Sequence, residues 1–228
     1  LEAQNDELLL KIGLGNTDSV RNEGTISVLS KLSKYKKQPK FDIHVLPTNI
    51  ILNDSAWSIG QADIVYTMAD QVMDIHNFSL HTDYQHITAS GRASKLASDS
   101  IDVVLNNINM DYLLSYTEAS KAISIMGPVT GNARLYSVFS DLMLEADASI
   151  KEGGLNGVYL GDVTAKAELD RENNSILIQG VVIDSTQHQV ATVNGKVIPA
   201  TRWWGLDIEC DSADIRFIDF WTKDIIAN

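Results

Sequence analysis

Residues 86–117 read HITASGRASKLASDSIDVVLNNINMDYLLSYT, and residues 190–222 repeat the pattern as VATVNGKVIPATRWWGLDIECDSADIRFIDFWT. Each copy has a short strand-like segment with a glycine (Gly91 or Gly195), a turn, and an alternating segment around an aspartate (Asp102 or Asp207). Each copy then closes with an apolar and aromatic cluster. The spacing between the glycines and the spacing between the aspartates differ by one residue, so one insertion separates the copies. Self-similarity at a long, fixed period predicts an array of β modules.

Short apolar segments with turn residues between them fill the rest of the chain, at the spacing of about 8–12 residues that is typical of all-β proteins. We expect strands near residues 8–14, 24–32, 41–47, 49–52, 56–66 (bent or broken at Gly60), 72–78, 79–84, 86–91, 100–108, 123–131, 133–139, 142–150, 158–169, 175–183, 190–198 and 204–210. Short helices are expected only near residues 110–117 and 214–226. The repeat divides the chain into two predicted modules, residues 1–117 and 118–228, the second continuous with the first.

Composition excludes several classes of function. The 228 residues carry a formal net charge of −12, which argues against nucleic-acid binding because that requires clustered Lys and Arg. A single cysteine rules out an intrachain disulfide framework. No signal peptide opens the chain and no apolar run approaches the roughly 20 residues of a membrane-spanning helix. We interpret the sequence as an interior piece of a longer protein.

The predicted strands have one apolar and one polar face. Ile176, Ile178 and Val182 share one side of their strand, as do Leu206, Ile208 and Cys210, because side chains alternate along a strand. An apolar sheet face must be covered by something. A second sheet covers it in a sandwich, and a ligand would cover it in an open, curved sheet.

No residue pattern indicates catalysis, a metal or a cofactor. His76, His81 and His86 are five residues apart, which on a strand places neighbours on opposite faces, so we expect no shared metal site. Cys210 has the parity of the apolar face and is interpreted as a small core residue. The tryptophans are interpreted as packing residues, with a sugar-binding platform as the alternative; they are Trp57, Trp203, Trp204 and Trp221.

The ordered succession of strand, glycine, Ser-Asp-x-Ile-x-Val and aromatic turn in residues 75–116 resembles the TamB family, which belongs to the AsmA-like, repeating β-groove proteins of Gram-negative bacteria. The run from Gly157 to Trp221 carries the same resemblance, which covers residues 41–228. The resemblance implies an elongated, curved, mainly antiparallel sheet that forms a taco-like groove lined by apolar side chains. The candidate groove-lining residues are Val103, Leu105, Ile176, Ile178, Val182, Leu206 and Ile208.

The resemblance also implies a function and a place in the cell. The expected function is a non-catalytic segment of a periplasmic protein, anchored in the inner membrane, that conducts phospholipid to the outer membrane. The expected partners are phospholipid acyl chains and, through parts outside these residues, outer-membrane assembly machinery. One alternative is a scaffold or chaperone for assembly and secretion of outer-membrane and autotransporter proteins, which would add client strands to a sheet edge. The other is a sugar-binding β-sandwich, and an enzyme is the weakest interpretation.

Overall fold

The structure is a computed structural model that describes residues 2–4, 7–16, 20–109, 124–201 and 203–211. The strands are β1 (Glu2–Gln4), β2 (Glu7–Gly15), β3 (Glu23–Tyr35), β4 (Gln38–Val45), β5 (Thr48–Leu52), β6 (Ser55–Ile59), β7 (Ala62–Thr67), β8 (Val72–His81), β9 (His86–Ala93), β10 (Ser100–Asn109), β11 (Ile125–Met126), β12 (Pro128–Tyr136), β13 (Met143–Leu155), β14 (Val158–Asp170), β15 (Ser175–Ile183), β16 (Gln189–Ile198) and β17 (Trp203–Cys210). A three-residue 3-10 turn, Pro199–Thr201, is the one helical element within the described ranges.

The predicted all-β, mainly antiparallel fold is confirmed. Strand pairing is antiparallel throughout the hydrogen-bonded registers of both halves of the chain. The two predicted short helices, near residues 110–117 and 214–226, lie outside the described residues.

The chain divides into two compact units. Unit 1 comprises Leu1–Leu105 and Ala133–Met143, and unit 2 comprises Asn106–Asn132 and Leu144–Asn228. The predicted boundary between residues 117 and 118 falls among residues that the structure does not describe. Strands β10 and β12 each contribute residues to both units.

In unit 1 the sheet is a meander of long strands, two of which are interrupted. Pro47 separates β4 from β5, and β3 pairs with both of them. Gly60 and Gln61 separate β6 from β7, and β8 pairs with both. The predicted bend or break at Gly60 is therefore confirmed as a break. The buried side chains include Val45, Ile50, Trp57, Ile59, Ala62 and Ala93.

Strand β8 carries a bulge that joins two predicted strands. The segments 72–78 and 79–84 were expected to be separate, but Val72–His81 is continuous. Its register against β9 shifts between Ile75 and Phe78, and Asn77 lies there with a φ of 58°. The extra residue returns Phe78 to the face of Ile75, so the apolar face continues without interruption. Without it, all later residues of the strand would change sides.

In unit 2 the strands from β13 to β17 pair in sequence order, and the short β11 pairs with β13. Strand β14 pairs with β13 and β15, and β16 pairs with β15 and β17. The segment predicted as 142–150 is longer, because β13 extends to Leu155 through register shifts around Gly153. The expected strands at 123–131 and 133–139 are instead Ile125–Met126 and Pro128–Tyr136.

Candidate functional site

The candidate site is the apolar face of the sheet in unit 2. Residues directly opposite each other in an antiparallel pair project to the same side, so the registers define rows that cross β13 to β17. Three rows form this surface, which we call the unit 2 apolar face: Ile150, Val163, Val182, Ala191 and Cys210; Ala148, Ala165, Gly180, Val193 and Ile208; and Ala146, Ala167, Ile178, Gly195 and Leu206.

The opposite side of the same strands is polar. Its rows are Asp147, Lys166, Gln179, Asn194 and Asp207, and Ser149, Thr164, Val181, Thr192 and Glu209. The two faces of unit 2 therefore differ sharply in polarity, as the alternation in the sequence predicted.

Burial along the unit 2 apolar face is uneven. Val182 is 2% exposed and forms a core cluster with Val190 and Ala191, against which Cys210 and Ile208 pack. Leu206, in the third row, is 38% exposed, and Ile178 is half-buried. Among the described residues, the face is thus sealed at the Val182 end and partly open to solvent at the Leu206 end.

The structure places the predicted groove residues of unit 2 on one face. Ile178, Val182, Leu206 and Ile208 lie in the three rows, and Ile176 continues the face opposite Val197. This shared face is a matter of register, and the contact of these residues with lipid stays a prediction.

The two remaining candidates, Val103 and Leu105, belong to β10 in unit 1. They share a side of that strand with Ile101, which is 9% exposed, and both are half-buried. Asp102 lies on the other side and accepts a hydrogen bond of 2.8 Å from Arg134 Nε. Unit 1 has its own apolar rows, Leu32, Phe41, Tyr66 and Met73, and Ile43, Ile64, Ile75 and Gly91. We call them the unit 1 apolar face.

Ion pairs occupy the polar side of unit 1. Arg92 donates hydrogen bonds of 2.7 and 3.1 Å to the two carboxylate oxygens of Asp74. The guanidinium holds the pKa of Asp74 below its ordinary value, against a smaller opposing effect of burial. Lys40 pairs with Asp42 at 2.8 Å on the same side of β4. Both carboxylates therefore have basic partners, and we interpret them as part of a charged, solvated surface.

A cavity of about 830 Å³ lies over the polar side of unit 2, and sequence analysis did not predict it. Its lining includes short hydroxyl side chains, among them Thr130, Ser149, Thr164 and Thr192. The sequence shows that polar residues alternate along these strands, but it does not show whether the polar surface of the sheet is flat or concave. The lining combines these hydroxyl groups with apolar side chains such as Ala165 and Val181.

The expectation that the five-residue spacing places neighbouring histidines on opposite faces is wrong, whereas the expected absence of a shared metal site stays a prediction. His81 and His86 are directly opposite each other in β8 and β9, and their ring centroids are 5.6 Å apart. His81 and His86 lie on two different strands joined by a turn, so the alternation of side chains along a single strand does not apply to them. The bulge at Asn77 also cancels the expected change of side between His76 and His81.

The structure describes the surroundings of the single cysteine and of three of the four tryptophans. Cys210 packs against the Val182 cluster, and burial raises the pKa of its thiol. Trp57 is 4% exposed, so it offers no surface for a sugar, whereas Trp203 is 50% exposed. Trp204 is half-buried opposite Val197, and Trp221 lies outside the described residues. In the described ranges, no group of three or more His, Cys, Asp or Glu side chains is arranged to hold a metal ion.

Comparison with protein-family models, with curated proteins and with solved structures produced no match to this chain. Among the described residues there is no helix with the length and apolar character needed to cross a membrane. The class that the fold defines is therefore an antiparallel all-β protein whose sheet has one apolar and one polar face in unit 2.

Proposed function

We propose that the chain is a non-catalytic β-groove module that conducts phospholipid between the inner and outer membranes, as part of a periplasmic protein anchored in the inner membrane. The observation that carries the proposal is the partly exposed row of apolar side chains that ends at Leu206, 38% exposed, on the unit 2 apolar face. The resemblance of residues 41–228 to TamB proteins supports the same function. No residue is required to perform chemistry.

The size of the unit 2 apolar face fits an acyl chain. Five neighbouring strands separated by about 4.8 Å give a width of about 19 Å, which approaches the length of an extended acyl chain. Each methylene removed from water contributes about 0.8 kcal/mol, so a chain of about 16 carbons gains on the order of 10 kcal/mol in a dry groove. Incomplete enclosure lowers that gain and allows the lipid to leave.

The side chains on this face suit a ligand that slides. Val, Ile, Leu and Ala offer no hydrogen bonds, so one position along the row binds a methylene about as well as the next. Many equivalent weak contacts let an acyl chain move along the row because no single position binds it tightly enough to hold it there. The polar face, with Lys166 and Asp147 exposed, keeps the other side of the sheet hydrated.

A pair of adjacent substitutions tests the proposal. Ile178→Asp places a carboxylate on the unit 2 apolar face, whereas Gln179→Asp places the same group on the polar face one residue away. We expect the Ile178→Asp protein to lose most of its bound lipid, because an acyl chain cannot solvate a carboxylate. The Gln179→Asp protein should retain it. Lipid content is measured by mass spectrometry of natively purified protein and by displacement of a fluorescent fatty acid.

Two outcomes would refute lipid conduction. One is the absence of lipid and detergent from the natively purified protein, together with no displacement signal. The other is an equal lipid content in the Ile178→Asp and Gln179→Asp proteins, both with unchanged circular dichroism. Crosslinks of client strands to backbone edges, without labelling of the apolar face, would support a scaffold for outer-membrane proteins instead.

A further inference from the structure

The hairpin of β8 and β9 in unit 1 ends in two histidines. His81 and His86 are the last pair of its register, with ring centroids 5.6 Å apart and an angle of 15° between the ring planes. Ser58 of β6 is opposite His81 on its other side. His86 is exposed and His81 is half-buried, so a solute can reach both rings.

The backbone that carries the two imidazoles is well fixed. In the connecting loop the backbone N–H of Thr82 donates to the carbonyl of Gln85 at 2.8 Å, and the N–H of Gln85 donates to the Thr82 hydroxyl at 3.0 Å. The N–H of Tyr84 donates to the same hydroxyl at 3.2 Å. On the opposite side of the hairpin, Leu80 pairs with Ile87 and with Ile59, which is 6% exposed.

The separation of the rings matches the requirement of a shared metal ion. Imidazole nitrogen binds Zn²⁺ at about 2.0–2.1 Å, so two rings on one tetrahedral ion have centroids about 5 Å apart. The observed 5.6 Å is close to this distance. Chelation requires the two side chains to rotate from this near-parallel arrangement so that one nitrogen of each ring points to the ion.

We propose that His81 and His86 form a two-histidine chelate for a borderline transition-metal ion, of the class of Zn²⁺, Cu²⁺ and Ni²⁺. Imidazole suits these ions, whereas Mg²⁺ and Ca²⁺ take oxygen ligands. Water fills the remaining coordination positions, in keeping with the absence of a larger ligand cluster among the described residues. A bound ion ties β8 to β9 and stabilises the hairpin, because binding to the folded state raises stability. This site is independent of lipid conduction.

The test uses copper because the nitrogen ligands of Cu²⁺ can be counted by electron paramagnetic resonance. The chain has five histidines, so a background variant replaces the other three, as His44→Gln, His76→Gln and His188→Gln. In this background we expect one Cu²⁺ with two imidazole nitrogens. Adding His81→Gln or His86→Gln should leave one nitrogen and weaken Zn²⁺ binding at least tenfold by calorimetry with zinc chloride.

The unmodified chain provides the check on folding. It should show the same two-nitrogen copper signal as the background variant, together with a Zn²⁺-dependent rise in its melting temperature. The His81→Gln chain should lose that rise. The proposal is overturned if the background variant shows fewer than two nitrogens, or if His81→Gln and His86→Gln leave Zn²⁺ affinity unchanged while circular dichroism stays native.

Discussion

At the scale of single residues, Val182 marks the buried end of the unit 2 apolar face. It is 2% exposed and lies between Val163 and Ala191, whereas Val181 beside it faces Thr164 and Thr192 on the polar side. The two valines have the same chemistry and opposite surroundings. Substituting each valine in turn therefore measures how much burial on this face contributes to the free energy of unfolding.

We expect Val182→Ala to lower the free energy of unfolding by about 2 kcal/mol, because it removes buried methyl groups and leaves a cavity. Val181→Ala should cost less than about 1 kcal/mol. Urea denaturation of the two variants measures the difference. Equal losses would show that the two faces do not differ in packing.

The pair of Asp74 and Arg92 makes stability depend on pH. The folded-state pKa of Asp74 is lowered by its hydrogen bonds with Arg92, so the ionised form stabilises the fold. This contribution is complete above the unfolded pKa of about 3.9 and disappears as pH falls through the lower, folded pKa.

We therefore expect Asp74→Asn to destabilise the protein at pH 7 and to lose that disadvantage toward pH 2. The measurement is the urea midpoint of both proteins between pH 7 and pH 2. A difference between them that stays constant with pH would contradict the role given to the carboxylate.

The faces of single residues were predictable where alternation is unbroken. Ile176, Ile178 and Val182 fall on one face because β15 pairs with β14 in continuous register. Alternation gave the wrong faces for His76 and His81, because the bulge at Asn77 adds one residue to β8. The sequence did contain a signal of this bulge: Ile75 and Phe78 are three residues apart, whereas neighbouring apolar residues of the strand are two apart.

At the scale of elements, the repeated glycines lie in equivalent places. Gly195 is opposite Leu206, the residue before Asp207. Gly91 lies against the backbone of Ser100 and Ile101, just before Asp102. The repeat in the sequence thus corresponds to a repeated pairing of a glycine-containing strand with an aspartate-containing strand. The lengths of the strands and the boundaries between them were less predictable, because register shifts let β8 and β13 continue past their expected ends.

Gly91→Ala should disrupt the approach of β9 to β10. Gly91 has a φ of +130°, and a Cβ there would clash with the carbonyl oxygen of Ser100. We expect a loss of at least about 2 kcal/mol in the free energy of unfolding. Gly13→Ala is the matched control, because a Cβ on Gly13 meets nothing within 4 Å, and it should change stability by less than about 1 kcal/mol. Similar effects of the two substitutions, measured by thermal unfolding, would argue against the close approach.

At the scale of the whole molecule, composition and periodicity were sufficient to predict an antiparallel all-β protein. They were not sufficient to predict the division into units, because β10 and β12 supply residues to both. Nor could they predict the 830 Å³ cavity on the polar side of unit 2, which is lined by residues of the six strands from β12 to β17. Such features depend on pairing between residues that are far apart in the sequence, and this pairing cannot be derived from one sequence.

The most direct test of lipid conduction is a photocrosslinking scan along β15 with phospholipid bilayers. A photoreactive residue is placed in turn at each position from Ile176 to Val182, and crosslinked phospholipid is measured by mass spectrometry. The account predicts labelling with a period of two, at positions 176, 178 and 180 and weakly at the buried Val182, with positions 177, 179 and 181 unlabelled. Uniform labelling, or labelling of the odd-numbered positions, would contradict the claim that the unit 2 apolar face carries the acyl chain.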